Sequence, residues 1–127
     1  MLFAPSFLLR DEVSWAEVDA HAFDVTLRDA GRSVSGRVFI DERGAPVDFA
    51  TTDRFADLPG GPQRAEWRTP IPEWGVGTNG RPVPGPFKCV WNLPEGEFSY
   101  IEGRLDPASF AFNVPPTTKQ SAKTGSA

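Results

Sequence analysis

A chain of 127 residues with 39% hydrophobic and 12% aromatic content has the length of one domain built on one core. Its formal charge is −4, with eleven Asp/Glu against six Arg over residues 1–57 and no Lys/Arg run. This excludes the cationic surface that displaces counterions from phosphates, so no nucleic acid is expected as a partner. The 13 prolines and 12 glycines interrupt helices and favour many short strands.

In chain order, the opening Met1-Leu2-Phe3-Ala4-Pro5-Ser6-Phe7-Leu8-Leu9-Arg10 is apolar but too short to span a bilayer, and it lacks the basic front and cleavage site of a signal peptide. No transmembrane segment is expected. The segment predicts a short helix starting near Pro5, with Phe7, Leu8 and Leu9 docked on a sheet. Strands follow at Val13 to Asp19, anchored by Trp15, and at Ala22 to Arg28. In the latter Phe23, Val25 and Leu27 share one face and Asp24, Thr26 and Arg28 the other. A third strand, Ser33 to Ile40, puts Val34, Gly36, Val38 and Ile40 together, and Gly36 marks a bulge or a close backbone approach.

Asp41-Glu42-Arg43-Gly44 suits a type I turn with glycine at positive φ. A fourth strand is predicted from Pro46 to Phe55, and Leu58-Pro59-Gly60-Gly61-Pro62 as a loop. A fifth strand, Arg64 to Ile71, carries Trp67, and Pro70 and Pro72 imply an edge or a strand end before a short piece begins at Trp74. Arg81-Pro82-Val83-Pro84-Gly85-Pro86 is expected to be extended by proline rather than by ladder bonds. Phe87 to Leu93 and Glu97 to Leu105 read as a last hairpin turning at Pro94-Glu95-Gly96, with a brief strand at Ser109 to Asn113. Residues 115–127 have no apolar pattern and are expected to be a disordered tail behind a single β domain over 1–114. The fold class is therefore mainly β: an antiparallel meander forming a curved open sheet or half-barrel, with a short N-terminal helix.

Chemistry-bearing residues are sparse. Cys89 stands alone, so no intramolecular disulfide can form, a reduced and cytoplasmic setting is the simplest, and Phe87, Val90 and Trp91 around it point to a buried inert thiol. His21 lies between two alanines with no Ser or Cys beside it and reads as a surface histidine. One His and one Cys cannot fill a usual zinc site, so no metal or other cofactor and no catalytic residue are expected. Asp53-Arg54 is the most suggestive polar pair, either a local ion pair or an arginine fork for an anion. Trp15, Trp67, Trp74, Trp91 and Tyr100 are more aromatic area than a core of this size demands, and several on one sheet face would line an apolar groove.

The order and spacing of several short runs carry a resemblance. Phe3-Ala4-Pro5-Ser6, Trp15-Ala16-Glu17-Val18-Asp19, Phe39-Ile40-Asp41-Glu42-Arg43-Gly44, Asp53-Arg54-Phe55, Gly80-Arg81-Pro82-Val83-Pro84 and Val90-Trp91-Asn92-Leu93-Pro94-Glu95-Gly96-Glu97-Phe98-Ser99-Tyr100 together resemble the C-terminal part of an uncharacterised, mainly bacterial domain-of-unknown-function family. The resemblance covers about residues 1 to 113 and implies no activity. A looser similarity is to the curved antiparallel sheets of lipoprotein carriers of the localisation-factor type, which implies an acyl chain held on a concave face.

The resulting expectation is a non-enzymatic domain that binds a lipid or another apolar or amphipathic small molecule, with Arg54, Trp67, Trp74, Trp91 and Tyr100 as binding residues. One alternative is a small enzyme using His21, Asp48 or Asp53 as base beside Arg54. The other is a structural or interaction domain, a truncated remnant of a longer fold whose open sheet edge forms a homodimer.

Overall fold

The computed structural model describes residues 8–109. The tail at 115–127 lies outside them, as do the helix expected from Pro5 apart from Leu8 and Leu9, and the brief strand after Ser109. The strands are β1 (Val13–Asp19), β2 (Ala22–Asp29), β3 (Arg32–Ile40), β4 (Pro46–Thr51), β5 (Phe55–Leu58), β6 (Gly61–Arg64), β7 (Glu66–Arg68), β8 (Trp74–Val76), β9 (Pro82–Pro84), β10 (Pro86–Leu93) and β11 (Gly96–Arg104). A 3-10 turn follows at Pro107–Ser109.

Seven strands form one sheet in the order β1-β2-β3-β4-β7-β10-β11, and every pairing is antiparallel. It is a meander with two excursions: the hairpin β5–β6 leaves between β4 and β7, and the hairpin β8–β9 between β7 and β10. Among the described residues β1 and β11 each pair on one side only, so the sheet is open and no barrel closes.

Cross-strand register separates two chemistries. On one face Trp15 pairs with Val25 and Val25 with Gly36, while Thr51 pairs with Trp67, Trp67 with Trp91 and Trp91 with Phe98. On the other, Asp24 opposes Arg37 and holds it through both carboxylate oxygens, and Thr26 and Ser35 share a hydroxyl hydrogen bond of 2.9 Å. Farther along that polar face Asp48 accepts from Arg68, and Glu66 accepts from Asn92 at 2.6 Å. Apolar and polar sets thus alternate along the strands, as in a sheet with one buried and one wet face. Val25, Val38 and Trp91 are buried on the apolar face. Val90 points the opposite way and is equally sealed, so β10 is covered on both sides.

Gly36 resolves as a close approach and not as a bulge. The β2–β3 register runs unbroken through it, and a Cβ there would overlap Cζ and Cε2 of the Phe49 ring.

Four sequence expectations are corrected. The strand expected from Arg64 to Ile71 is divided, with Arg64 closing β6 opposite Phe55 and only Glu66–Arg68 forming β7. The fourth strand ends at Thr51 rather than at Phe55, because the chain leaves the ladder at residues 52–54 and Phe55 starts a new hairpin. Residues 58–62 are not a loop: Leu58 pairs with Gly61 and Asp57 with Pro62, and the turn is confined to Pro59 and Gly60 because Gly60 and Gly61 accept φ of 97° and 116°. Pro82 to Pro84 do form a ladder with β8. The Gly77 N–H bond to Arg81 O and the Gly85 N–H bond to Glu73 O make Gly75 and Val83 the hydrogen-bonded pair between them. Both prolines then fall at positions whose missing N–H would point away from β8.

Candidate functional site

Where β4 ends, a polar clamp sets the direction of the chain. The Thr51 hydroxyl donates to Ser35 O at 2.6 Å and accepts the Asp53 N–H at 3.1 Å, while Asp53 Oδ2 accepts the Ser35 N–H at 2.8 Å. Asp53 Oδ1 also lies 3.8 Å from Arg64 Nη2, at the base of the β5–β6 hairpin. Held this way, the next residue, Arg54, lies back over the apolar face. Its guanidinium carbon is 4.2 Å from the centre of the Trp67 ring and 5.5 Å from that of Trp91. Tyr100 completes the cluster: its hydroxyl accepts the Trp67 indole N–H at 2.8 Å, and its ring stacks with Trp91 at 6.3 Å and 25°.

Beside this cluster the apolar face holds a recess of about 220 Å³, lined by aliphatic residues of β1, β2 and β3, by Gly36, by Phe49 and Trp67, and at its rim by Arg54. Phe49 meets Trp67 edge to face at 6.3 Å and 71°. Leu8 contributes to the wall, and its carbonyl accepts the Trp15 indole N–H at 3.0 Å. Trp15 in turn stacks on Phe23 at 5.1 Å. Ser35, Thr51, Asp53 and Arg54 are the hydroxyl-bearing and charged residues of the lining, and the first three are tied to one another by the clamp.

Four of the five binding residues read from the sequence, Arg54, Trp67, Trp91 and Tyr100, therefore come together. Arg54 and Trp67 line the recess itself; Trp91, only 7% exposed, and Tyr100 stand behind them. Trp74 is elsewhere. Its indole N–H donates to Pro46 O at 2.7 Å and it lines a separate hollow with Pro46, Val76 and Pro82.

The groups of the enzyme alternative do not converge. His21 is exposed at the β1–β2 turn, its backbone N–H held by Asp19 Oδ1 at 2.7 Å. Asp48 is on the polar face, buried, with its carboxylate taken by Arg68 and by the Phe49 N–H at 2.8 Å. Cys89 is a half-buried free thiol whose pKa is raised by burial, with the positive charge of Arg54 opposing that rise. Among the described residues no group of three or more His, Cys, Asp and Glu could hold a metal ion, and no helix is long and apolar enough to cross a membrane.

Phe49 and Gly36 were missed as site residues. The signal was a glycine inside an apolar strand face, which marks the place where a neighbouring ring comes close.

An antiparallel meander of this kind, with one apolar and one polar face, defines a β-sheet domain. The chain belongs to a family of unknown function (DUF6544), which matches residues 1–103. No curated protein and no solved structure matches it.

Proposed function

We propose that the chain is a non-enzymatic module that binds an apolar or amphipathic small molecule in the recess, with Trp67 as a wall and Arg54 as the anchor for a polar head. The observation that supports this is the pairing of an almost wholly apolar recess with the guanidinium of Arg54 at its rim, which forms no ion pair among the described residues. At about 220 Å³ the recess falls short of the ~300–1,000 Å³ typical for drug-sized ligands, so it suits one ring or one short chain. Trp91 and Tyr100 serve this site by holding Trp67 in place. A single cysteine, which has no intramolecular disulfide partner, fits a reducing, cytoplasmic compartment.

The test is titration of the full chain with an apolar fluorescent probe. Binding is expected in the wild type and a loss of affinity in Trp67→Ala, with the fold checked by circular dichroism. A probe that never binds would rule the reading out.

A second reading, self-association, rests on the open β1 edge, where Trp15 is 49% and Val18 40% exposed.

A further inference from the structure

Arg54 is the one site residue whose chemistry is left unspent. A guanidinium stacked on an indole presents its flat face to the ring, and its five N–H donors then lie in a plane open at the edges. No other described residue accepts a hydrogen bond from Arg54 or forms an ion pair with it. In a chain with a net charge of −4 this is unusual, because acceptors are plentiful. The nearest in sequence, Asp53, is already committed through one oxygen to the Ser35 N–H and through the other toward Arg64.

We infer that the head group Arg54 receives is a single carboxylate, so that the ligand is a monocarboxylic acid with a short apolar tail. This rests on the binding reading above and narrows it. The first ground is geometry: two parallel N–H groups on one guanidinium edge match the two oxygens of a carboxylate. The second is charge. Asp53 lines the recess beside Arg54 but is held by the Ser35 N–H and lies toward Arg64, which is outside the lining, so the charge left for a ligand is the single positive one of Arg54, which one carboxylate neutralises. A phosphate monoester carries about −1.5 to −2 at neutral pH and would bring its excess charge against Asp53. An ammonium head would meet Arg54 as a like charge. The third is the tail: a cavity of ~150 Å³ lined by aliphatic and aromatic side chains stays dry and takes up benzene, so this recess is of a size for a short alkyl chain or one ring.

The experiment titrates the full chain at neutral pH by calorimetry with octanoate, octanol, octyl phosphate and octylammonium, in the wild type and in Arg54→Gln and Arg54→Lys. Octanoate is expected to bind about tenfold or more tighter than octanol, the usual reach of a charge-assisted hydrogen bond, and tighter than the phosphate or the ammonium. Arg54→Gln should bring octanoate down to the level that octanol shows in the same variant, and Arg54→Lys should keep part of the preference because it keeps the charge without the fork. Octanol is the internal control for a damaged recess. Equal binding of octanoate and octanol in the wild type, a preference for the phosphate, or an Arg54→Gln chain that loses both ligands equally would each overturn the carboxylate assignment. Failure of all four probes to bind, octanol included, would instead overturn the recess reading on which the assignment stands.

Discussion

Phe49 lies over Gly36 so closely that the glycine has no room for a methyl group, and the pair forms part of the recess lining. Gly36→Ala is therefore expected to destabilise the chain by about 1–3 kcal/mol, the cost of overpacking a fitted contact. The same substitution in a Phe49→Ala background should cost much less, and urea denaturation of the four chains gives the coupling directly. A different kind of strain sits at the β2–β3 turn, where Ala30 at φ 49° precedes Gly31 at φ 75°. Two successive residues at positive φ make the hairpin turn that prefers Asn-Gly, and alanine pays there for its Cβ. Ala30→Asn should raise stability by up to about 1 kcal/mol, read as a higher urea midpoint at unchanged slope. Trp91 responds oppositely to Trp67: being buried, it should cost about 3–5 kcal/mol as Trp91→Ala, whereas half-buried Trp67 should affect ligand affinity more than folding.

The turn between β3 and β4 shows how a strand end is fixed by one side chain. Asp41 Oδ1 accepts the N–H groups of Arg43 and Ala45, both at 2.9 Å, and Asp41 O accepts the Gly44 N–H at 3.0 Å. The Ala45 N–H is the largest cause of an Asp41 pKa held below its ordinary 3.8, with smaller help from Arg43 and some opposition from desolvation. A carboxyl depressed in the folded chain stabilises it above the unfolded value and loses that contribution as pH falls through the folded one. Asp41→Ala should accordingly melt earlier than the wild type at neutral pH, and the gap should close as pH drops below 3.8, measured by thermal melts across the acid range. Such turns were legible because Asp and Gly at fixed offsets state their own geometry, and β1, β2, β3, β10 and β11 were legible because their apolar residues alternate. What the sequence hid were contacts decided elsewhere in the chain. The break after Thr51 depends on Ser35, sixteen residues earlier, which takes the hydroxyl that would otherwise face solvent. The β8–β9 ladder survives two prolines only because of its register. Asp53-Arg54 announced polarity, but that its two members part, one into a backbone clamp and the other onto an indole, follows from the packing of Trp67 against β4 and β10.

At the scale of the whole molecule two sheet edges, β1 and β11, have no partner among the described residues, and they are not equivalent. β11 carries an irregularity opposite Cys89 and Val90, where Tyr100 is the extra residue, and such a bulge in mid-strand blunts an edge. β1 is regular from Val13 to Glu17, its shift falling only between Glu17 and Asp19. The Arg28 N–H bond to Glu12 O makes that pair hydrogen-bonded, so Ser14 and Ala16 also direct their backbone groups to β2, and those of Trp15 and Glu17 face outward. An antiparallel pair of β1 strands centred on Ala16 would set Trp15 of each copy opposite Glu17 of the other, with no like charges directly opposed, and would satisfy the outward groups through a two-fold interface. Static light scattering over a concentration series is therefore expected to show a dimer. Glu17→Pro removes an outward N–H that β2 does not use, and should leave the circular dichroism spectrum intact while shifting the mass to that of a monomer. A wild-type chain that stays monomeric throughout the series, or a proline variant that dimerises as before, would rule out pairing through β1.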